Sequence, residues 1–141
     1  MTQKRRFLTP AGSVELQSEL SNLKSVRRPD VSARIREATE TGGTVDNAEY
    51  EEVKNEQAFI EGRIQDLEEI LANSTVTQRD KRVADTVQFG SSVTVTGEDG
   101  KRRSYQLVGS AEAKPLEGKI SNESPVGLAL LDRKIGDEVE V

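Results

Sequence analysis

Residues 41–71 read TGGTVDNAEYEEVKNEQAFIEGRIQDLEEIL, and this stretch decides the fold. After the two glycines, apolar or uncharged residues recur at alternating spacings of three and four, at Tyr50, Val53, Gln57, Ile60, Ile64, Leu67 and Leu71. This is a heptad pattern, and charged and polar residues fill most of the positions between. The pattern predicts a long helix with one apolar stripe, and we expect Asn73 and Ser74 to end it.

A second striped helix is predicted before the glycines. Thr9 and Pro10 indicate its start, because a Thr side chain caps free N–H groups and Pro is tolerated in the first turn. Helical spacing then connects Leu16, Leu20, Leu23, Val31, Ile35 and Ala38. Pro29 cannot donate a backbone hydrogen bond, so we expect a kink or short break at 27–30. Two such helices joined by a glycine turn are expected to pack as an antiparallel pair.

The pattern changes after residue 76. Alternating residues at 92–97, an Asp-Gly turn and RSYQLVG predict a β-hairpin, and KIS at 119–121 predicts a short strand. Ser124 and Gly136 are placed to begin and end a helix, and DEVEV is expected to form a last strand. The fold class is therefore α+β, with an N-terminal antiparallel α-helical coiled-coil hairpin and a small second domain. The predicted boundaries are 1–75 for the hairpin with its tip at 41–49, 76–82 for a linker, and 83–141 for the second domain.

Composition excludes several kinds of chemistry. The 141 residues include no Cys and no His, which excludes disulfides, thiolate or imidazole zinc sites and a histidine base. The net charge of −5 argues against generic DNA binding, which favours a basic surface. MTQKRRFLTP at the start lacks a following apolar core, and VGLALL at 126–131 is too short to span a bilayer. We expect a monomeric cytoplasmic protein with no membrane partner.

Four sequence motifs together resemble the bacterial GreA/GreB transcript-cleavage factors. They are LKSVRRPDV, DNAEY, EGRIQDLEEIL and ISNESPVGLALL followed by KIGDEV, and the similarity runs from Leu8 to Val141. The resemblance implies an antiparallel coiled coil followed by a globular domain of FKBP-like shape. It also implies that family members usually continue past GDEVEV into another strand. We therefore expect the sheet of this chain, which stops at Val141, to lack an edge strand.

The same resemblance implies a function in transcription elongation. In the family, the globular domain docks on the rim of the secondary channel of RNA polymerase and the coiled coil enters that channel. Acidic tip residues then help to hold a second Mg²⁺ and to position a water that cuts the extruded 3′ segment of the nascent RNA in a backtracked complex. Such a factor has no active site of its own, because its carboxylates act in the metal site of the polymerase.

The tip departs from the family pattern. Gly43 occupies the position of the first essential acid, and Asp46 occupies that of the second, which is normally Glu. Thr39 replaces a basic residue. Gly43 has no side chain to bind a metal, and Asp46 is shorter than Glu by about 1.5 Å of reach. We therefore expect binding to the polymerase with weak or absent stimulation of RNA cleavage.

Both candidate catalytic acids have structural alternatives. Asp46 is the candidate ligand to the shared Mg²⁺, yet an Asp just before NAEY also fits the N-cap of the second helix. Glu49, which assists the polymerase in the functional interpretation, is otherwise a first-turn acid that the helix dipole favours. Capping does not exclude a metal role.

Basic residues near the tip are candidates for RNA contact. Lys54 matches a family position that faces RNA, and Arg34 and Arg36 lie on the opposing limb. The alternative is an ordinary solvated face, for example with Lys54 paired to Glu51 or Glu49 across one turn.

A loop in the second domain matches the region that the family uses against the polymerase rim. Its candidate residues are Ser121, Asn122, Ser124 and Pro125. A helix cap at Ser124 would explain the same residues, and we expect both roles, because a fixed loop loses less entropy on docking.

Two other classes of function compete with the leading hypothesis. One is a coiled-coil adaptor or holdase chaperone that does not bind RNA polymerase. The other is a stand-alone enzyme, which the lack of His, of Cys and of a compact carboxylate cluster disfavours. Prolyl isomerase activity is also disfavoured, because Phe89 and Tyr105 are the only aromatic residues after residue 76.

Overall fold

The structure is a computed structural model that describes residues 6–40, 47–82 and 85–141, and it describes no side chain at residue 47. The contacts divide the chain into two compact units. One is Glu15–Ala72, the hairpin unit, and the other joins Met1–Val14 to Asn73–Val141, the sheet unit. The first strand and the start of the first helix are thus grouped with the sheet. The domain boundaries inferred from the sequence stay a prediction.

The helices begin and end close to the predicted positions. Helix α1 is Pro10–Asn22, a π-helical turn follows at Leu23–Arg27, α2 is Arg28–Glu40, and α3 is Asn47–Asn73. The predicted start at Pro10 and end at Asn73 are confirmed. Thr9 caps α1 as expected, since its Oγ1 accepts a hydrogen bond from Gly12 N at 3.0 Å.

Both predicted stripes are buried in the hairpin unit. The buried members are Leu16, Leu23, Val31, Val53, Ile60, Ile64 and Leu67, each no more than 6% exposed. Ion pairs on the flanks of the stripes join Lys24 to Glu68, Arg28 to Glu61 and Arg34 to Glu56. Residue numbers rise along one limb as they fall along the other, so the limbs are antiparallel.

The regular helix is interrupted just before Pro29 by the π turn at Leu23–Arg27, in which Arg28 N donates to Leu23 O, five residues back. The predicted short break at 27–30 is wrong, because the chain is helical from Arg28 to Glu40. The predicted kink stays a prediction. In a regular α-helix the Pro29 ring would clash with the Ser25 carbonyl four residues earlier. The π turn relieves this clash, and Ser25 Oγ donates to Ser21 O at 2.6 Å.

The sheet unit contains five described strands. Strands β1 (Arg6–Leu8) and β2 (Ser74–Val76) pair in parallel, and this pair was not predicted. The expected hairpin is confirmed as β3 (Ser92–Thr96) and β4 (Arg102–Val108), which are antiparallel. The short strand β5 (Lys119–Ser121) is also confirmed and pairs in parallel with β4. The strand order of this second sheet is β3-β4-β5.

Two predictions at the carboxyl end are wrong. Helix α4 is Pro125–Leu130 and does not extend to Gly136, because Asp132 N donates to Val87 O at 2.9 Å and the chain turns to pair there. No strand is assigned to residues 137–141. Val139 is half-buried and packs against the core of Leu107, Ile120 and Leu130, so the alternation there reflects one packed side chain and not strand pairing.

A buried carboxylate joins separate parts of the sheet unit. Glu112 Oε2 accepts hydrogen bonds from Thr9 N at 2.7 Å and from Gly109 N at 3.2 Å, and its Oε1 accepts one from Thr9 Oγ1. Glu112 is 9% exposed and Thr9 is 6% exposed. These bonds fix the start of α1 to the short 3₁₀ turn Ser110–Glu112 that follows β4.

No helix within the described ranges is long and apolar enough to cross a membrane.

Candidate functional site

The acidic candidates at the tip are only partly within the described residues. Asp46 and Gly43 lie outside them, so the shared Mg²⁺ site at Asp46 stays a prediction. Glu49 lies in the first turn of α3 and is exposed. Glu40, the last residue of α2, is exposed as well. Within residues 6–40, 47–82 and 85–141 no group of three or more acidic side chains is placed to hold a metal ion.

The basic candidates differ in how firmly they are held. Arg34 Nη1 lies 3.1 Å from Glu56 Oε2 across the hairpin and 3.7 Å from Asp30 Oδ2 on its own helix. Lys54 Nζ donates to Gln57 Oε1 at 3.2 Å. This bond differs from the alternative pairing with Glu51 or Glu49. Arg36 is exposed, and its carbonyl accepts a hydrogen bond from Thr39 Oγ1 at 2.9 Å.

All three cations are exposed, and they differ in whether a carboxylate already compensates their charge. The Arg34 guanidinium already forms an ion pair with Glu56 of the other limb, so its charge is compensated there. Lys54 is held by a neutral amide, so its charge is not compensated by that contact. The described geometry therefore suits Lys54 and Arg36 better than Arg34 for contact with a phosphate backbone.

The candidate docking loop in the sheet unit is tightly organised. Ser124 is the N-cap of α4, where its Oγ accepts from Gly127 N at 3.1 Å and donates to Ser121 O at 2.6 Å. Ser121 Oγ accepts from Glu123 N at 3.0 Å. Pro125 occupies the first helical position, and Asn122 N donates to Val108 O at 2.9 Å. The structure thus brings all four loop candidates together.

Gly127 shows how closely the loop is packed. A Cβ at this position would overlap the Ser121 carbonyl oxygen, so any larger residue would push the cap and β5 apart. The conformation of the loop is therefore set by its own hydrogen bonds and by steric contact.

A cavity of about 170 Å³ lies beside this loop. Its lining residues are Arg6, Phe7, Ser110, Asn122, Glu123, Leu128 and Leu131. Leu128 is 61% exposed and Phe7 is 42% exposed, so the wall offers apolar surface next to the polar loop. Ser110 Oγ, which also lines the cavity, lies 2.7 Å from Ser121 Oγ and donates to Glu123 Oε2 at 2.8 Å.

Reasoning from sequence found Asn122 but missed the other residues of this cavity. Arg6 and Phe7 lie in β1, far in sequence from the other lining residues. No local pattern predicts that these segments meet. A sequence signal for Leu128 was present, since it lies in the predicted helix whose capping loop was already a candidate.

Comparisons with known proteins agree over the whole chain. A family model described as "Transcription elongation factor, N-terminal" matches residues 6–76, and one described as "Transcription elongation factor, GreA/GreB, C-term" matches residues 80–141. The chain is 46% identical to transcription elongation factor GreA of Geobacillus kaustophilus, over 99% of this chain and 89% of the relative. It is 49% identical to the GreA of Acetivibrio thermocellus, with the same two coverages.

Solved structures of Gfh1 share the fold. Gfh1 of Thermus thermophilus, a GreA factor homologue, is 33% identical with a TM-score of 0.50, over 95% of this chain and 87% of that one. Gfh1 of Thermus aquaticus is also 33% identical, with a TM-score of 0.51, over 96% and 87%. The predicted fold class, a helical hairpin followed by a small FKBP-like α+β domain, is confirmed. With both family models and these relatives covering nearly all of its length, the chain belongs to the GreA/GreB family of transcription elongation factors.

Proposed function

We propose that this protein binds bacterial RNA polymerase through the secondary channel and acts on backtracked complexes with weak or absent stimulation of RNA cleavage. Family membership over the full chain supports the polymerase as partner, since its curated relatives are named transcription elongation factors. The proposal of weak or absent cleavage stimulation rests on Gly43, which occupies a position where the family motif has an acid.

In this proposal the hairpin carries the tip into the channel, and the sheet unit docks by the loop of Ser121, Asn122, Ser124 and Pro125. Helix α3 alone, with 27 residues, extends for about 40 Å. The organised loop supports the docking role, because its cap and its hydrogen bonds are already in place. Lys54, with Arg36 and less so Arg34, would face the nascent RNA.

At the tip, carboxylates would assist a Mg²⁺ held by the polymerase. A divalent ion of this kind stabilises the attacking water and the charge that develops on the phosphate. Of the two acids that remain, Asp46 would approach the ion and Glu49 would assist from the first turn of α3. With Gly43 in place of an acid, one oxygen ligand to the ion is lost, which is the reason for weak cleavage.

A cleavage assay on stalled, backtracked complexes with purified core polymerase tests the proposal. We expect little cleavage with the native chain and at least about tenfold faster cleavage with Gly43→Asp combined with Asp46→Glu, a difference of about 1.4 kcal/mol in the barrier. Glu51→Gln, which changes an exposed acid just beyond the tip, is the matched control and should leave the rate unchanged. Strong cleavage by the native chain at ordinary factor concentration would refute the reduced-activity part.

Binding is measured separately by co-purification with core polymerase and by competition with another channel-binding factor. Retention on the core together with displacement by the competitor supports the channel as the site. Failure to bind the core would favour the coiled-coil adaptor or holdase over the elongation role.

A further inference from the structure

The spacing of the stripe residues on the first limb of the hairpin contains one residue too many for a heptad. Leu16, Leu20 and Leu23 follow at spacings of four and three, and Val31, Ile35 and Ala38 repeat those spacings. Between the two groups the step from Leu23 to Val31 is 31 − 23 = 8, where a heptad has seven. In a regular α-helix one additional residue would rotate Val31 by about 100° away from the stripe.

The π turn at Leu23–Arg27 absorbs this additional residue. Leu23 is 6% exposed and Val31 is 1% exposed, so both lie in the same stripe on either side of the turn. The bond from Arg28 N to Leu23 O spans five residues, which adds one residue without advancing the stripe. Val26 in the turn is 55% exposed. Helix α3 on the second limb keeps an uninterrupted heptad and shows no such turn.

The result is that two consecutive arginines share one layer of the stripe. Counting four residues on from Leu23 gives Arg27 as the next stripe position, while counting three residues back from Val31 gives Arg28. Neither arginine side chain is buried in the way that an apolar residue of the stripe is. Arg27 Nη2 lies 3.2 Å from Glu56 Oε1, and Arg28 binds Glu61 through two hydrogen bonds of 2.7 and 2.9 Å.

The two acids lie on opposite flanks of the stripe of α3. Glu56 precedes Gln57, and Glu61 follows Ile60, so one acid is on each side of the stripe. In a regular heptad the two positions that flank the stripe are never consecutive in sequence, because a stripe residue or an outward-facing residue lies between them. Two consecutive side chains therefore cannot reach both flanks. The π turn makes this possible.

We propose that the π turn and the Arg27–Arg28 pair form a polar clasp that fixes the register of the two limbs. A polar layer in a mostly apolar stripe favours one register. Displacement by one heptad in one direction would place Arg28 opposite Lys54 in place of Glu61. Displacement in the other direction would place Arg27 opposite Arg63 in place of Glu56. Such a layer also lowers stability relative to an apolar one. The clasp lies within the hairpin unit and does not depend on the proposed function.

The test compares two variants that both carry Pro29→Ala. One is the Pro29→Ala chain itself, which keeps the step of eight from Leu23 to Val31. The other, the apolar variant, adds deletion of Arg27 and Arg28→Leu, which restores a step of seven and an apolar layer. Because the chain has no Cys, spin labels at Ser32→Cys and Asn55→Cys report one distance between the limbs.

We expect a single narrow distance for Pro29→Ala. For the apolar variant we expect a melting temperature about 4–8 °C higher. We also expect a second interspin distance, from a population in which one limb has moved along the other by one heptad, about 10 Å. Deletion of Ala33, an exposed residue outside the turn, shortens the step from Val31 to Ile35 and should lower the melting temperature. A single narrow distance in the apolar variant, or a lower melting temperature than Pro29→Ala, would overturn the clasp. An unchanged melting temperature after deletion of Ala33 would mean that the limb tolerates a changed step outside the turn. The π turn would then not be what preserves the stripe.

Discussion

In the hairpin unit, Glu56 and Glu61 lie at the surface and pair with arginines of the opposite limb, whereas in the sheet unit the Glu112 carboxylate is buried and accepts three hydrogen bonds. These pairs join the two limbs and are partly exposed to water. Exposed pairs of this kind contribute little to stability, because water screens them and ordering the side chains lowers their entropy. A buried acceptor differs, because its loss leaves donors without a partner.

The comparison teaches that position decides the importance of a carboxylate in this chain. Glu56 and Glu61 join two helices at a partly exposed flank, while Glu112 connects β4 to the start of α1. The following predictions test that difference, from the largest effect to the smallest.

Removal of the buried carboxylate is expected to have the largest effect. Glu112→Ala leaves Thr9 N, Thr9 Oγ1 and Gly109 N without their acceptor, and we expect a loss of about 3 kcal/mol or more in the free energy of unfolding. Urea denaturation followed by circular dichroism measures it. Glu117→Ala is the control, since Glu117 is exposed and lies 3.9 Å from Lys114, and it should change stability by less than about 0.5 kcal/mol. Equal effects of the two variants would contradict the comparison.

A smaller loss is expected from Gly12→Ala. A Cβ at Gly12 would overlap the Glu112 carboxylate, which cannot move away without breaking its hydrogen bonds. Overpacking of this kind costs about 1–3 kcal/mol. The matched control is Gly62→Ala in α3, where no atom lies within 4 Å of the new Cβ. Because Ala favours a helix, Gly62→Ala should stabilise the protein by about 0.5–1 kcal/mol, so the two substitutions should have opposite signs in the same urea experiment.

The smallest effect is expected from pH. Hydrogen bonds from Arg28 lower the pKa of the Glu61 carboxyl below its ordinary value of 4.5. The stabilisation is therefore fully present above pH 4.5 and is lost as the pH falls through the lower pKa of the folded state. We expect the melting temperature of Arg28→Ala to decline less steeply below pH 4.5 than that of the native chain. Near neutral pH, the dependence of the melting temperature on pH should be the same in both. A decline that stays as steep in Arg28→Ala would show that other carboxylates account for it.

Much of the fold follows from local pattern. The stripe from Tyr50 to Leu71 and the start at Thr9 and Pro10 predicted the helices, because amphipathic periodicity and capping act within a few residues. The β3–β4 hairpin was also predictable, since its turn lies between its own strands. By contrast, the pairing of β1 with β2 joins Arg6 to Ser74, and no local signal specifies so distant a partner.

The candidate site divides in the same way. Ser124 and Pro125 were predictable as a cap because capping is a local interaction. The neighbouring cavity was not, because Phe7 and Leu128 come from opposite ends of the chain. Asp46 and Gly43 lie outside the described residues, and their roles stay predictions.

The sequence by itself determined the helical hairpin, the family resemblance and the unusual Gly43, because heptads, caps and motifs are properties of neighbouring residues. Only the tertiary structure decided that helix α4 ends at Leu130, that Glu112 is buried, and that a π turn keeps Leu23 and Val31 in one stripe. Each of these depends on an atom remote in sequence or on the partner helix. The free energy of packing, and not local preference, selects among conformations that the local sequence allows equally well.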